Sequence, residues 1–228
     1  MNAMNALSQL LPLAVGILIS PLPIVAIVAI VLSARGRKAA PAFTAAFAAV
    51  TLAFIALGAL SSAGASAASG TRDGSKVVVL VLTIALTAGF AAMALVSWLT
   101  RPRAGAPAKT PGWLSAIDSI TPARAAGLGL VMAATNSKNI PLELKGGSLI
   151  GAAHVPPLIA ALLCLAVAFV GVLALVIPTL LAATGSARVA AGLDRVKTEM
   201  MAHNAIIMTV LFAILAANEG AHVLHQLA

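Results

Sequence analysis

Residues 133–148 read Ala133-Ala-Thr-Asn-Ser-Lys-Asn-Ile-Pro-Leu-Glu-Leu-Lys-Gly-Gly-Ser148. Apolar sequence flanks them, Ala125–Ala134 before and Leu149–Ala153 after. Within this run stand Asn136, Lys138, Asn139, Glu143 and Lys145, with Pro141 and two glycines. If the run crosses a bilayer, these groups lie at membrane depth. A charge there costs at least about 2.5 kcal/mol unless it is paired or wetted. The rest of the chain reads as the housing for this segment.

That a bilayer is the solvent follows from composition. The 228 residues are 61% hydrophobic and 9% charged, with mean hydropathy +1.07. A soluble domain carries roughly 25% charged residues. The lone Cys164 excludes an intrachain disulfide and a cysteine metal cluster. Met1–Gln9 holds no Lys or Arg, so no cleaved secretory signal is expected. The net charge of +8 would suggest nucleic acid in a soluble protein. Here short basic loops that orient membrane spans explain it, and no nucleic-acid partner is expected.

A bilayer core takes about 20 apolar residues. On that measure span 1 is Ala6–Leu32, span 2 Pro41–Ser61, span 3 Lys76–Leu99, span 4 lies within Thr121–Ala153, span 5 is Leu158–Thr184 and span 6 Met200–Ala217. Span 1 contains Ser20-Pro21-Leu22-Pro23 at its middle. Two prolines one residue apart remove two amide donors and predict a break. Span 2 has Ala42, Ala45, Ala46, Ala49 and Ala53 at spacings that suit close helix packing. Ser62–Ser75 and Gly185–Glu199 read as loops, and Trp98 as an interfacial anchor. Thr100–Ser119 holds three prolines and basic residues and reads as an exposed linker. Thr121-Pro122 is a helix start, a cap followed by proline at the first helical position. Span 4 as one straight helix would be about 50 Å long, so an interruption at Asn136–Asn139 and Pro141 is expected. Gly147 and Gly151 form a GxxxG pair, compatible with a homodimer or with packing inside the chain.

Ten of the 14 Lys and Arg residues fall in loops 1–2, 3–4 and 5–6. The positive-inside rule puts those loops in the cytoplasm and both termini outside. The sequence therefore predicts an all-α integral membrane protein of the plasma membrane. Its six transmembrane helices form two inverted three-helix repeats, residues 1–99 and 121–228, joined by a basic linker at 100–120. Spans 1 and 4 are the corresponding first spans of the two halves, each interrupted near mid-membrane. Paired interruptions of this kind point to a transporter binding site. Freed backbone groups can face a cavity but not lipid.

Ser20-Pro-Leu-Pro23, the linker end Trp113–Pro122 and Ala134-Thr-Asn-Ser-Lys-Asn139 together resemble the GAP family. These are peptidoglycolipid- or sulfolipid-addressing proteins of mycobacteria and related actinobacteria, within the LysE (lysine exporter) superfamily. The resemblance covers nearly the whole chain. The family pattern at the second break is closer to Asn-Pro-Lys-Asn. Here Ser137 stands for the proline, and Pro141 is expected to supply the break instead. The resemblance implies export, and for GAP members the placing of large glycolipids at the cell surface.

The expected substrate or ion site comprises Ser20, Pro21, Pro23, Asn136, Lys138, Asn139, Pro141 and Glu143. Lys138 would bind an anionic group or carry a proton, against the blander reading of a structural pair with Glu143. Asn136 and Asn139 would satisfy broken backbone or touch a ligand. Glu143 is a counter-ion or a proton acceptor. Lys145 reads as snorkelling toward an interface. His203 and Asn204 read as interfacial, and Asp118 as a local cap or a linker salt bridge. No metalloprotease, nucleophile-elbow or phosphate-loop motif is present, so no enzyme activity, cofactor or metal is expected. The rival readings are a scaffold for lipid-synthesis or export proteins, and an exporter of a small metabolite or an ion.

Overall fold

A computed structural model describes residues 3–69, 73–101, 114, 117 and 119–227. Most of the proline-rich linker, with Trp113 and Asp118, falls outside the described residues. The described residues form helices and no strands: α1 (Ala3–Leu18), α2 (Pro21–Leu32), α3 (Gly36–Ser69), α4 (Asp73–Leu99), α5 (Pro122–Ala134), α6 (Asn139–Ala152), α7 (Pro157–Ala183) and α8 (Ala187–Leu227). By length and composition α3, α4, α7 and α8 can each cross a membrane. The α1–α2 pair, bent by 48°, makes a fifth candidate span. α5 is apolar but short, and α6 carries Lys138 at its cap with Glu143 and Lys145 in its body.

Span 1 breaks where the prolines require. In a continuous helix the Ile17 carbonyl would receive the amide of residue 21, which is proline and has none. The Ser20 amide turns back to the Leu18 carbonyl at 3.0 Å, and α2 starts with Pro21 at its first position. The break in span 4 comes earlier than Pro141. α5 ends at Ala134, residues 135–138 form a turn, and Pro141 sits in the first turn of α6. A missing amide costs nothing there, so Pro141 starts a helix rather than breaking one. Thr121 caps α5 as expected, its hydroxyl accepting from the Arg124 amide at 3.4 Å.

Two expected loops are helical. Ser62–Ser69 continues α3, because alanine is the strongest helix former. Two serine hydroxyls of α3 also bond back along the helix, Ser61 to the Leu57 carbonyl at 2.7 Å and Ser69 to that of Ala65 at 2.9 Å, whereas those of Ser62 and Ser66 have no partner among the described residues. Within 185–199 only the corner at Gly185 (φ +65°) is non-helical before α8 begins at Ala187. An Asp194–Lys197 pair at 2.6 Å stands on that helix. α8 also runs on to Leu227, past the expected end at Ala217.

α3 is the central helix, packed on α5, α6, α7, α4 and α2. The alanine stripe is not its packing face. Ala45, Ala49 and Ala53 are exposed, while Phe43, Phe47, Thr51, Ile55 and Gly58 are buried. Close approach comes from glycines. A Cβ on Gly147 would strike the Ile55 carbonyl, one on Gly151 that of Ala59, and one on Gly58 that of Leu144. The GxxxG pair is thus spent inside the chain, on the α3–α6 seam, and not on a second copy.

The buried apolar residues form two clusters. One joins α1 to α6 through Leu13, Ile17, Leu142 and Leu149, with Ile55 and Phe212. The other joins α2 to α5 through Ile27, Ile30, Ala125 and Ala133, with Phe43 and Phe47. The α1–α2 and α5–α6 pairs therefore each pass from one cluster to the other. Both breaks lie at the boundary between them.

Candidate functional site

The two breaks meet. The Asn136 side-chain amide donates to the Ser20 hydroxyl at 3.0 Å. The side-chain oxygen of Asn136 accepts from the Asn139 amide at 3.2 Å, which caps the start of α6. One asparagine thus starts the second helix piece and ties it to the first break.

The carbonyls left over at the end of α1 are taken by the opposite break. The Ile17 carbonyl, deprived of a donor by Pro21, receives the Asn139 side-chain amide at 3.4 Å. The Gly16 carbonyl, which the Ser20 amide has left, receives the Lys138 ammonium. Lys138 is only 2% exposed. A cation at a helix C-terminus meets the negative end of the helix dipole. Its position therefore has a structural cause, while its charge remains beside a cavity.

That cavity, of about 210 Å³, is lined by Ser20, Pro21, Pro23, Asn136, Lys138 and Asn204, among others. Five of the eight expected site residues therefore share one crevice. Asn139 lies behind it against Ile17, with its own side-chain oxygen buried and unpartnered. Pro141 lines a separate small space beside α4, with Leu86 and Phe90. Glu143 points to α3, where the Thr51 hydroxyl donates to one of its oxygens at 2.9 Å. Its second oxygen is buried with no partner.

Some partners carried little local signal. Lys145 does not snorkel. It is 2% exposed and pairs with Glu219 of α8, which is fully buried. In sequence Glu219 stands just past the expected end of span 6 at Ala217, and the acidic residue nearest Lys145 is Glu143. Thr51, in the alanine-rich helix, is likewise unmarked. His203 and Asn204, adjacent in sequence, separate in space. His203 is exposed, 3.4 Å from Glu199 and bonded to its carbonyl. Asn204 faces the crevice, its side-chain oxygen buried and unpartnered.

A larger groove of about 1070 Å³ opens elsewhere between α3, α6 and α7. Its walls are apolar, with Leu52, Ala56, Ile150, Ala160 and Leu165 among them. Ser66 and His154 are polar exceptions.

A family model described as SfLAP: Sap, sulfolipid-1-addressing protein, matches residues 10–225. No curated protein and no solved structure matches this chain.

Proposed function

This chain belongs to the sulfolipid-1-addressing (Sap) family, and from that membership we propose that it is a secondary exporter of the LysE type that moves an anionic envelope lipid across the plasma membrane. The observation that carries the reading is the meeting of the two breaks. Residues of both breaks, Ser20–Pro23 and Thr135–Lys138, line one crevice with Asn204, and Lys138 and Asn139 take the carbonyls freed at the end of α1. Polar groups and charges buried in a membrane helix bundle mark substrate or ion paths. In this proposal Lys138 meets the anionic part of the substrate. Ser20, Pro21, Pro23, Asn136, Asn139 and Pro141 form and hold the crevice, and Glu143 balances the charge.

The apolar groove favours a lipid over a small metabolite. A crevice of about 210 Å³ is small against the roughly 300–1,000 Å³ of ordinary ligand sites. The groove supplies the space that acyl chains need.

The repeat reading draws support from packing. Exchanging α1 for α5, α2 for α6, α3 for α7 and α4 for α8 turns each major packing into another that is present. α3 on α6 becomes α7 on α2, α3 on α5 becomes α7 on α1, and α4 on α6 becomes α8 on α2. This exchange supports units at 1–99 and 121–228. Six spans and extracytoplasmic termini belong to this reading, and the exchange and the positive-inside rule support them.

The test is purified protein in liposomes. Wild type is expected to carry a sulfated or phosphorylated lipid between leaflets without partner proteins, and Lys138→Ala to stay folded and carry none. Transport at the wild-type rate by Lys138→Ala would remove Lys138 from the mechanism. A folded wild type that moves nothing would favour the scaffold, and movement of amino acids alone the metabolite exporter.

A further inference from the structure

The basic corners converge on one cavity. α3 begins at Gly36, α5 at Pro122 and α8 at Ala187, and all three first residues line a half-open space of about 780 Å³. Arg35, Arg37 and Lys38 line it too, and no Asp or Glu is among its described lining residues. The amides of Gly36 and Lys38 donate to the Ser33 and Arg35 carbonyls, that of Arg124 is capped by Thr121 and Pro122 has no amide, so what these helix starts offer an anion is chiefly the positive end of each helix dipole. Two helix C-termini share the space, with carbonyls in their last turns already occupied. The Ser33 hydroxyl donates to the Ile30 carbonyl and the Thr184 hydroxyl to that of Leu181, each at 2.7 Å.

Arg37 is placed. Its guanidinium lies against Gly185, where an added Cβ would come 2.5 Å from Nη2. Gly185 also has φ +65°, a conformation that side-chain-bearing residues rarely adopt. The corner between α7 and α8 therefore leaves room for an arginine from the corner between α2 and α3. The positive-inside rule accounts for basic residues in these loops. It does not account for their meeting, with three helix starts, around one walled space.

We propose that this cavity binds the anionic headgroup, a sulfate or phosphate ester, of a membrane lipid. This rests on the lipid-export reading and gives it a loading site. Planar guanidinium groups match the oxygens of such esters in pairs. The apolar wall of Val31, Leu32, Leu181 and Leu193 accepts the part of the lipid next to the headgroup. With basic loops inside, the site faces the cytoplasmic leaflet, where export begins.

The experiment is equilibrium binding to full-length protein in discs of zwitterionic lipid, with phosphatidic acid and a long-chain alkyl sulfate as probes. Wild type is expected to bind each saturably. Arg35→Gln/Lys38→Gln is expected to weaken binding by about tenfold or more. Gly185→Ala keeps every charge but crowds Arg37, and is expected to weaken binding as well. Arg101→Gln is the control. Arg101 already lies 3.6 Å over the Trp98 ring and donates to the Trp98 carbonyl at 2.7 Å, so binding should not change.

Equal binding by all variants, or an equal loss in Arg101→Gln, overturns the proposal. Inorganic sulfate and phosphate are the soluble arm. If either binds as tightly as the lipids and displaces them, the site is for free anions, and the lipid assignment falls. Liposome transport separates the two readings. Transport with variant-insensitive binding removes this site and leaves the exporter. Variant-sensitive binding without transport leaves the site and removes the exporter.

Discussion

Asn136 and Ser20, 116 positions apart, are joined side chain to side chain at 3.0 Å. Asn136 holds the start of α6 with its other end. The two residues therefore differ in what their loss should cost. Ser20→Ala removes one interhelical hydrogen bond, worth about 0.6 kcal/mol in membrane proteins. Asn136→Ala removes that bond and a helix cap, together about 1–2 kcal/mol. Thermal unfolding in detergent should rank them in that order. The double variant should fall short of the sum, since both singles break the same bond.

Lys145 and Glu219 form a buried pair away from the crevice. Removing one partner leaves an uncompensated buried charge. Lys145→Met alone should therefore destabilise the fold by about 3–5 kcal/mol. Lys145→Met with Glu219→Met should come back to within about 1 kcal/mol of wild type, and it should still transport lipid. A stable double variant without transport would make the pair functional.

Gly147 touches the Ile55 backbone, and Gly127 has nothing within 4 Å of an added Cβ. Gly147→Ala should therefore cost about 1–3 kcal/mol through overpacking. Gly127→Ala should be neutral, or stabilise by up to about 1 kcal/mol through better helix propensity. The two melting curves, compared in one detergent, check this.

Ala160 lines the apolar groove, and Ile214 is exposed on α8. Ala160→Trp should slow lipid movement in liposomes while leaving the melting temperature near wild type. Ile214→Trp should change neither. A full transport rate with the groove filled would separate the groove from the substrate path.

Local chemistry made part of this molecule readable in advance. Prolines at 21 and 23 remove donors wherever they stand, so the break after Leu18 could be read from four letters. The break in the second half could be read too, though Pro141 misled about its position. Pro141 lies where a helix begins and its missing amide is harmless. Contacts over long separations were not readable. Glu219 meets Lys145 across 74 residues, and Thr51 meets Glu143 across 92. Nothing near either residue in sequence announces its partner. Of the expected loop Ser62–Ser75, Ser62–Ser69 is helical because serine and glycine break helices less in this setting than they do in water, while residues 70–72 lie outside the described residues. In this helix the hydroxyls of Ser61 and Ser69 bond to their own backbone, while alanine propensity carries the segment through Ser62 and Ser66, whose hydroxyls have no partner among the described residues.

The glycine seam between α3 and α6 decides which pieces can travel. Where two backbones touch with no side chain between them, no compliant layer is left to slide. α3 comes from the first half of the chain and α6 from the second. Under the two-repeat proposal this seam keeps the halves from parting along the line that divides them in sequence. In the exporter proposal α3 and α6 stay together as a keel, and opening swings other helices, such as the bent α1–α2 arm, about it.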